Sequence, residues 1–468
     1  MAWPKPVRRT FKSNTRSRWG YTFEWTSEHL SPEQLDPLKY TYDVLADECL
    51  DELNAISASL KSKGQDEQMN DAGQANGKHD LYNMLLEHSS DNAPLRQLWT
   101  QVNTVPDWVD WEQIARGQEV FYRYGGPALT GLAFQSLLGG MGAHRIVETL
   151  VRTGGFSAKS ARRRMFETTQ HILQCTSSVD SLKPGGPGHV SSIRVRLLHA
   201  AVRQRILKLM EKKQDYYNVE SWGIPVSDLD CIATIGTFSA TLIWLSFPRQ
   251  GIWLRSQEIK DYIALWRFIA YLVGTPTDHF ETPRKARTMM ESLLFSEIEP
   301  TYTSKFLANN IIKSLEGQPP GYPSKEFLQV QARWLNGGEL ADRLGIPRPG
   351  LWYWALMAGQ CIFFCSICYT YRSIPYLDRK KISALRRVFY AIIVKHEEGL
   401  GEETTFQFKY IPQMSTLKST EDGSDVHHRR YSGIERRNLR TLLYTFFLLA
   451  LLVFGLEKLI SIARRRSW

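Results

Sequence analysis

Cysteine is scarce in this chain, with six residues in 468: Cys49, Cys175, Cys231, Cys361, Cys365 and Cys368. That sparseness excludes the dense disulfide framework of a small secreted domain. The last three spell C-x3-C-x2-C, the spacing of a radical-SAM iron–sulfur site. They lie inside the apolar run C-I-F-F-C-S-I-C-Y, where such a site would want a loop, so buried free thiols are expected. No apolar stretch follows the basic, aromatic start M-A-W-P-K-P-V-R-R-T-F-K, and a cleavable secretory signal is not expected. Nor do the 58 Lys and Arg gather into a zinc-finger, RNA-recognition or homeodomain pattern. A net charge of +10 scattered in this way argues against nucleic acid and fits a surface facing anionic lipid.

What is present is helical periodicity. With 43% hydrophobic residues the chain can bury a large core, and its patterns of threes and fours predict an all-α fold. Ser31, Pro32 and Gln34 supply a cap, a first-turn proline and a capping-box partner. A long helix through Leu38, Tyr42, Leu45, Cys49, Leu53, Ile56 and Leu60 should follow, its acidic side (Asp43, Asp47, Asp51) facing solvent. Lys61 to Lys78 reads as a polar loop. Further helices are expected from Asp80, from near Pro106, on both sides of the turn Arg152 to Phe156, after the Ser227 cap, and over Gln257 to Val273. The chain divides into an N-terminal helix and loop (1–79), a helical core (80–345), a hydrophobic helix with a basic membrane-proximal segment (346–440), and a C-terminal transmembrane helix (441–463).

Two apolar spans differ in kind. Gly350 to Tyr371 has no formal charge but holds Gln360 and three cysteines, which favours a buried or half-immersed core helix over a span. Thr441 to Ala463 is a membrane anchor, with Glu457 and Lys458 near its end where they can snorkel. Arginines at both ends leave its orientation undecided. Arg379 to His396 is a basic amphipathic helix for a membrane surface or for packing. Thr404 to Arg440 looks loosely structured, and His427 and His428 within it lack ligand spacing.

The chemistry centres on Ser192 to Arg205, S-I-R-V-R-L-L-H-A-A-V-R-Q-R. His199 stands there on a helix between apolar neighbours and before two alanines. A neutral imidazole so placed can ligate iron, or can serve as an ordinary hydrogen-bonded partner. Arg196 and Arg203, three before and four after it, fall near its face and could pair with the carboxylates of a haem. Tyr124 to Gly142 is rich in glycine among apolar residues, which suits close approach to a macrocycle, to a long apolar substrate, or to neighbouring helices.

R-L-L-H-A-A-V-R, preceded by P-G-G-P-G-H at Pro184 to His189 and R-R-R-M-F-E-T at Arg162 to Thr168, resembles the latex-clearing-protein (rubber oxygenase) family. It is similar above all to the family's fungal ER-bound branch, which cuts isoprenoid side chains. The resemblance runs from about Asp80 to Gly274. It implies a globin-like helical core holding haem b, oxidative cleavage of a carbon–carbon double bond by dioxygen, an apolar isoprenoid or lipid-like substrate, and an ER membrane with a cytosol-facing body. It makes His199 the iron ligand, and it puts Arg164, Thr168 and Glu148 on the oxygen-binding side. A carboxylate in an apolar pocket is also a chemically suitable acceptor for an allylic proton. Glu167 departs from the family, which carries lysine just before the threonine. Two alternatives stay open: a non-haem iron site built from His144, Glu148, Glu167 and His171, and a non-catalytic membrane protein that binds lipid or haem.

Overall fold

The computed structural model describes residues 14–62, 80–154, 156–158, 160–406 and 433–466, and helices carry nearly all of it. The exception among the described residues is a hairpin that the sequence patterns did not foretell. Strands β1 (Thr15–Arg18) and β2 (Tyr21–Glu24) pair antiparallel. Trp19 and Gly20 turn the chain with φ of 52° and 72°, the left-handed pair that matches strand twist in a two-residue turn.

The capping box at Ser31 forms, Gln34 Oε1 accepting the Ser31 amide at 2.9 Å. The helix behind it, α1 (Pro32–Leu35), is only one turn and passes into a tighter turn over Asp36–Lys39. Pro37 has no amide to continue an α-helical ladder, so the expected long helix starts later, as α2 (Val44–Ser62). Next come α3 (Leu81–His88), α4 (Ala93–Asn103), α5 (Trp111–Arg123), α6 (Gly125–Gly131), α7 (His144–Arg152), α8 (Ala161–Thr176) and α9 (Val179–Leu182). The long α10 (Pro187–Lys212) is followed by α11 (Val219–Trp222), α12 (Asp228–Phe238), α13 (Phe247–Arg249), α14 (Ser256–Leu272) and α15 (Pro283–Ser296). Then follow α16 (Tyr302–Leu315), α17 (Lys325–Asn336), α18 (Gly338–Arg343), α19 (Leu351–Ser373), α20 (Pro375–Tyr390) and α21 (Gly433–Arg466). Ser227 caps α12 through its side chain, as its spacing implied.

Helix α10 is the axle, packed against α2, α3, α8, α9 and α14. Its arginines lock it in place: Arg194 pairs with Asp80, Arg196 with Asp43, and Arg203 with Asp47 at 2.7 Å. The acidic side of α2 is therefore not a solvated surface, as expected from periodicity. Asp43 and Asp47 face buried arginines, and of the three only Asp51 is exposed.

The glycine-rich stretch resolves in favour of helix packing. A Cβ at Gly126 would meet the Phe364 ring at 2.7 Å, and one at Gly139 would meet Asn336 Oδ1 at 2.0 Å. At Gly131 it would run into Ser246 and Leu242. Helix α19 is half-immersed, burying Leu356, Met357, Gln360, Phe364 and Cys368 while Leu351 and Trp352 stay exposed. The basic α20 packs on the body too, its Lys381 donating to the Arg123 carbonyl at 2.9 Å. All six cysteines are free thiols. His427 and His428 lie outside the described residues.

Candidate functional site

Two neighbouring helices build the site. On α8, Arg164, Thr168, His171 and Cys175 recur at steps of four, three and four, and so share one face. That face meets α10 closely at one end, where Cys175 Sγ lies 3.7 Å from the Gly188 carbonyl and from Ser192 Oγ. Gly188 permits the approach, since a Cβ there would sit 2.9 Å from the Cys175 Cα.

Two turns further along α10 comes His199. Its Nδ1 is buried without a partner, while Nε2 makes no hydrogen bond and is not enclosed. Desolvation, helped by the nearby Arg203 charge and opposed by Asp43, drives its pKa down to about 4. The ring is nevertheless only half-buried. His171 has the same character, half-buried with a pKa pushed to about 4 by desolvation and then by His199. Cys231 of α12 is half-buried as well, its thiol pushed up to about 12 by burial, with Arg203 and Asp43 among its charged neighbours.

Other buried histidines show what an ordinary structural role looks like. His189 uses both nitrogens, on the Val102 carbonyl at 2.8 Å and the Gly185 amide at 3.2 Å. His29 also uses both, on Glu291 and Thr26. An unpartnered buried polar atom costs about 1–3 kcal/mol, and Nδ1 of His199, like that of His144, is left in that state.

The remaining expected site residues are placed as follows. Arg196 and Arg203 are almost fully buried and engaged by Asp43 and Asp47, though Arg196 Nη1 and Arg203 Nε have no partner. Glu148 is held by Arg152 at 2.7 Å, and Arg152 in turn lies over the rings of Tyr216, Tyr217 and Trp222. Arg164 pairs with Glu167 at 2.9 Å, and the exposed Thr168 donates its hydroxyl to the Arg164 carbonyl. The alternative non-haem set does not converge. Glu148 and Glu167 are occupied by arginines, and no cluster of three His, Cys, Asp or Glu able to hold a metal ion occurs among the described residues. His144 shares an unpartnered Nδ1, but its strongest charged neighbours are Arg145 and Glu297.

Fold and site together define a mostly helical protein with a neutral, unsatisfied imidazole half-buried on α10. Residues 122–360 match the family described as ER-bound oxygenase mpaB/B'/Rubber oxygenase, catalytic domain, and the chain belongs to that family. It is 19% identical over 264 residues to a rubber oxygenase of Streptomyces sp. (strain K30), covering 54% of this chain and 61% of the relative's length. Among solved structures it is similar to latex clearing protein LCP in the closed state, with a TM-score of 0.52 and 15% identity over 74% of this chain and 91% of that one. That likeness shows the shared fold.

A haem, which the resemblance implies, asks for a neutral imidazole with one nitrogen free in a water-poor interior. His199 meets each requirement on its own geometry. Sequence reasoning placed His171 only in the non-haem alternative and gave Cys175 no role. The stripe Arg164, Thr168, His171, Cys175 was the signal that both share a wall with the distal candidates.

Proposed function

We propose that this protein is a membrane-anchored, haem b-dependent oxygenase of the ER-bound branch, cleaving a carbon–carbon double bond in an isoprenoid or other lipid-like chain. The observation that carries this reading is His199, an imidazole kept neutral by desolvation with no protein partner for either nitrogen. When bound, the haem would supply the activation of dioxygen. The overall reaction balances without a reductant: alkene plus dioxygen gives two carbonyl ends, each taking one oxygen atom.

The chain's own residues do the rest. His199 would hold the iron through Nε2, the nitrogen absent from the enclosed unpartnered atoms. Arg196 and Arg203 fix α10, and with it His199, against α2. Each keeps one N–H group free for a propionate. Arg164 and Thr168, on the face of α8 that carries His171, would orient dioxygen by hydrogen bonding, Thr168 by turning its hydroxyl away from the Arg164 carbonyl. Glu148 would take the allylic proton on the carboxylate oxygen that Arg152 leaves free and return it as the two carbonyl ends form, so that no proton is lost overall. Helix α21 anchors the body in the ER membrane, where an apolar substrate concentrates, with the body on the cytosolic side.

The test is the visible spectrum of the detergent-purified full chain beside His199→Ala. A Soret band in the parent that is lost or reshaped in the variant is expected. A well-folded, haem-supplemented parent without that band would overturn the reading.

A further inference from the structure

Helix α20 buries one side and shows the other. Asp378, Lys381 and Ile382 are buried against the body, whereas Tyr376, Lys380, Ser383 and Arg387, at steps of four, three and four, share an exposed face. Arg379 and Val388 are exposed beside them. The stretch Ile374 to Lys395 holds six Lys and Arg against a single acid, Asp378. That acid and its neighbours Glu119 and Glu258 are all engaged by Arg123. Among the described residues no carboxylate pairs with Arg379, Lys380 or Arg387, so the outward charge of α20 is uncompensated.

Exposed apolar and aromatic side chains gather where α19 turns into α20. Trp253 is 62% exposed, Tyr376 57% and Ile374 46%. Trp253 is no frayed tip. Its amide donates to Tyr369 Oη at 3.0 Å and its carbonyl accepts from Arg372 at 2.8 Å, so the main chain is pinned on both sides and the indole is left outside. Arg255, also exposed, reaches the Arg372 carbonyl at 3.4 Å, and Lys380 Nζ lies 4.5 Å from the Tyr376 ring centre. Cations set among exposed Trp and Tyr suit the headgroup layer of a bilayer, where the rings meet acyl chains on one side and the cations meet phosphate on the other. A purely polyanionic partner would use the cations and leave Ile374 and Val388 in water. Helix α19 packs against both α20 and α21. At helix spacings of about 8–10 Å, this keeps α20 within about 20 Å of the docked root of the apolar rod.

We propose that the outer face of α20 and the Trp253 corner form a second, peripheral membrane contact, selective for anionic phospholipid headgroups, which lays the body against the bilayer beside its anchor. The proposal rests on the anchoring reading above, and its test separates the two. The full chain is reconstituted into vesicles of phosphatidylcholine alone or of phosphatidylcholine with phosphatidylserine. Its lysines are then acetylated with an uncharged reagent and mapped by mass spectrometry. Lys380 and Lys395 should react several-fold more slowly in the anionic vesicles, while Lys208 and Lys212, exposed on α10, react alike in both. High salt, which shortens the reach of surface charge, should abolish the difference. Arg379→Gln with Arg387→Gln, two side chains outside every ion pair of the body, should abolish it too at low salt. Equal rates at Lys380 in the two vesicles, in a chain that still resists carbonate extraction, would overturn the anionic contact and leave the anchor standing. Equal slowing of Lys208, Lys212 and Lys380 would overturn it as well, as a general effect of the charged surface. Release of the full chain by carbonate would remove the anchoring reading and this contact with it.

Discussion

Desolvation at His171 and His199 ties the site to the stability of the whole chain. Both imidazoles have folded pKa values near 4 against an ordinary value of 6.5. Between those limits the unfolded chain binds protons that the folded chain does not, so stability is full above about pH 6.5 and falls as pH drops toward 4. The loss amounts to on the order of 2–3 kcal/mol for each histidine across that window. Urea titrations of the haem-free protein at pH 7.5 and 5.0 should show a large drop in midpoint. In His171→Leu and His199→Leu the drop should be visibly smaller, and an identical pH dependence in all three would disprove the account. The same desolvation would serve the proposed chemistry, because an imidazole at His199 that resists protonation keeps a lone pair available to a metal.

At the scale of elements, α10 is held by charges that its own sequence displays and partners that it does not. The arginines of S-I-R-V-R-L-L-H-A-A-V-R are plain to read, but Asp43 and Asp47 lie about 150 residues away, and the acidic stripe of α2 had the pattern of a solvated face. Local periodicity reports which side of a helix is polar without reporting whether water or a buried guanidinium meets it. The glycines of α6 posed the same difficulty. Their spacing announced a close approach, but Phe364, Leu242 and Ser246, which make it, are supplied by distant segments. Where the information was local it was legible, as at the Ser31 and Ser227 caps, the turn after Arg152 and the ends of α14. The break before α2 was legible too, in Pro37, and a run of well-spaced apolar residues masked it. Because Arg196 is 3% exposed, Asp43→Asn should leave an uncompensated buried charge and cost about 3–5 kcal/mol. A double change, Asp43→Leu with Arg196→Met, should recover most of that in urea midpoint. Equal loss in the single and double variants would show that packing, not charge, joins the helices.

Seen as a whole molecule, the chain is a closed helical body with one apolar rod leaving it. The first turns of α21 dock: Glu435 accepts the Ser324 amide at 2.8 Å, Arg437 lies 4.2 Å from the Phe363 ring centre, and Asn438 reaches Gln360. Gly359 makes room, since a Cβ there would sit 2.5 Å from the Asn438 carbonyl. From Leu443 to Ile460 the large apolar side chains are exposed all round, a length of about 27 Å against a hydrocarbon core of about 30 Å. Each such side chain gains roughly 1.5–3 kcal/mol on leaving water, so on the proposed reading the rod's dozen or so Leu, Phe, Val and Ile residues would together make insertion effectively irreversible. Docking and anchoring are thus separable along one helix. A chain ending at residue 442 should lose carbonate-resistant sedimentation with membranes while keeping the parent's melting temperature, because the removed residues are barely covered by the body. A chain ending at residue 432 should also melt lower, since the Phe327, Leu356 and Met357 cluster loses Ile434 and Leu439 from its cover. If the chain ending at 442 still sedimented after carbonate extraction, the half-immersed α19, with Leu351 and Trp352 exposed at its tip, would have to be a second membrane contact.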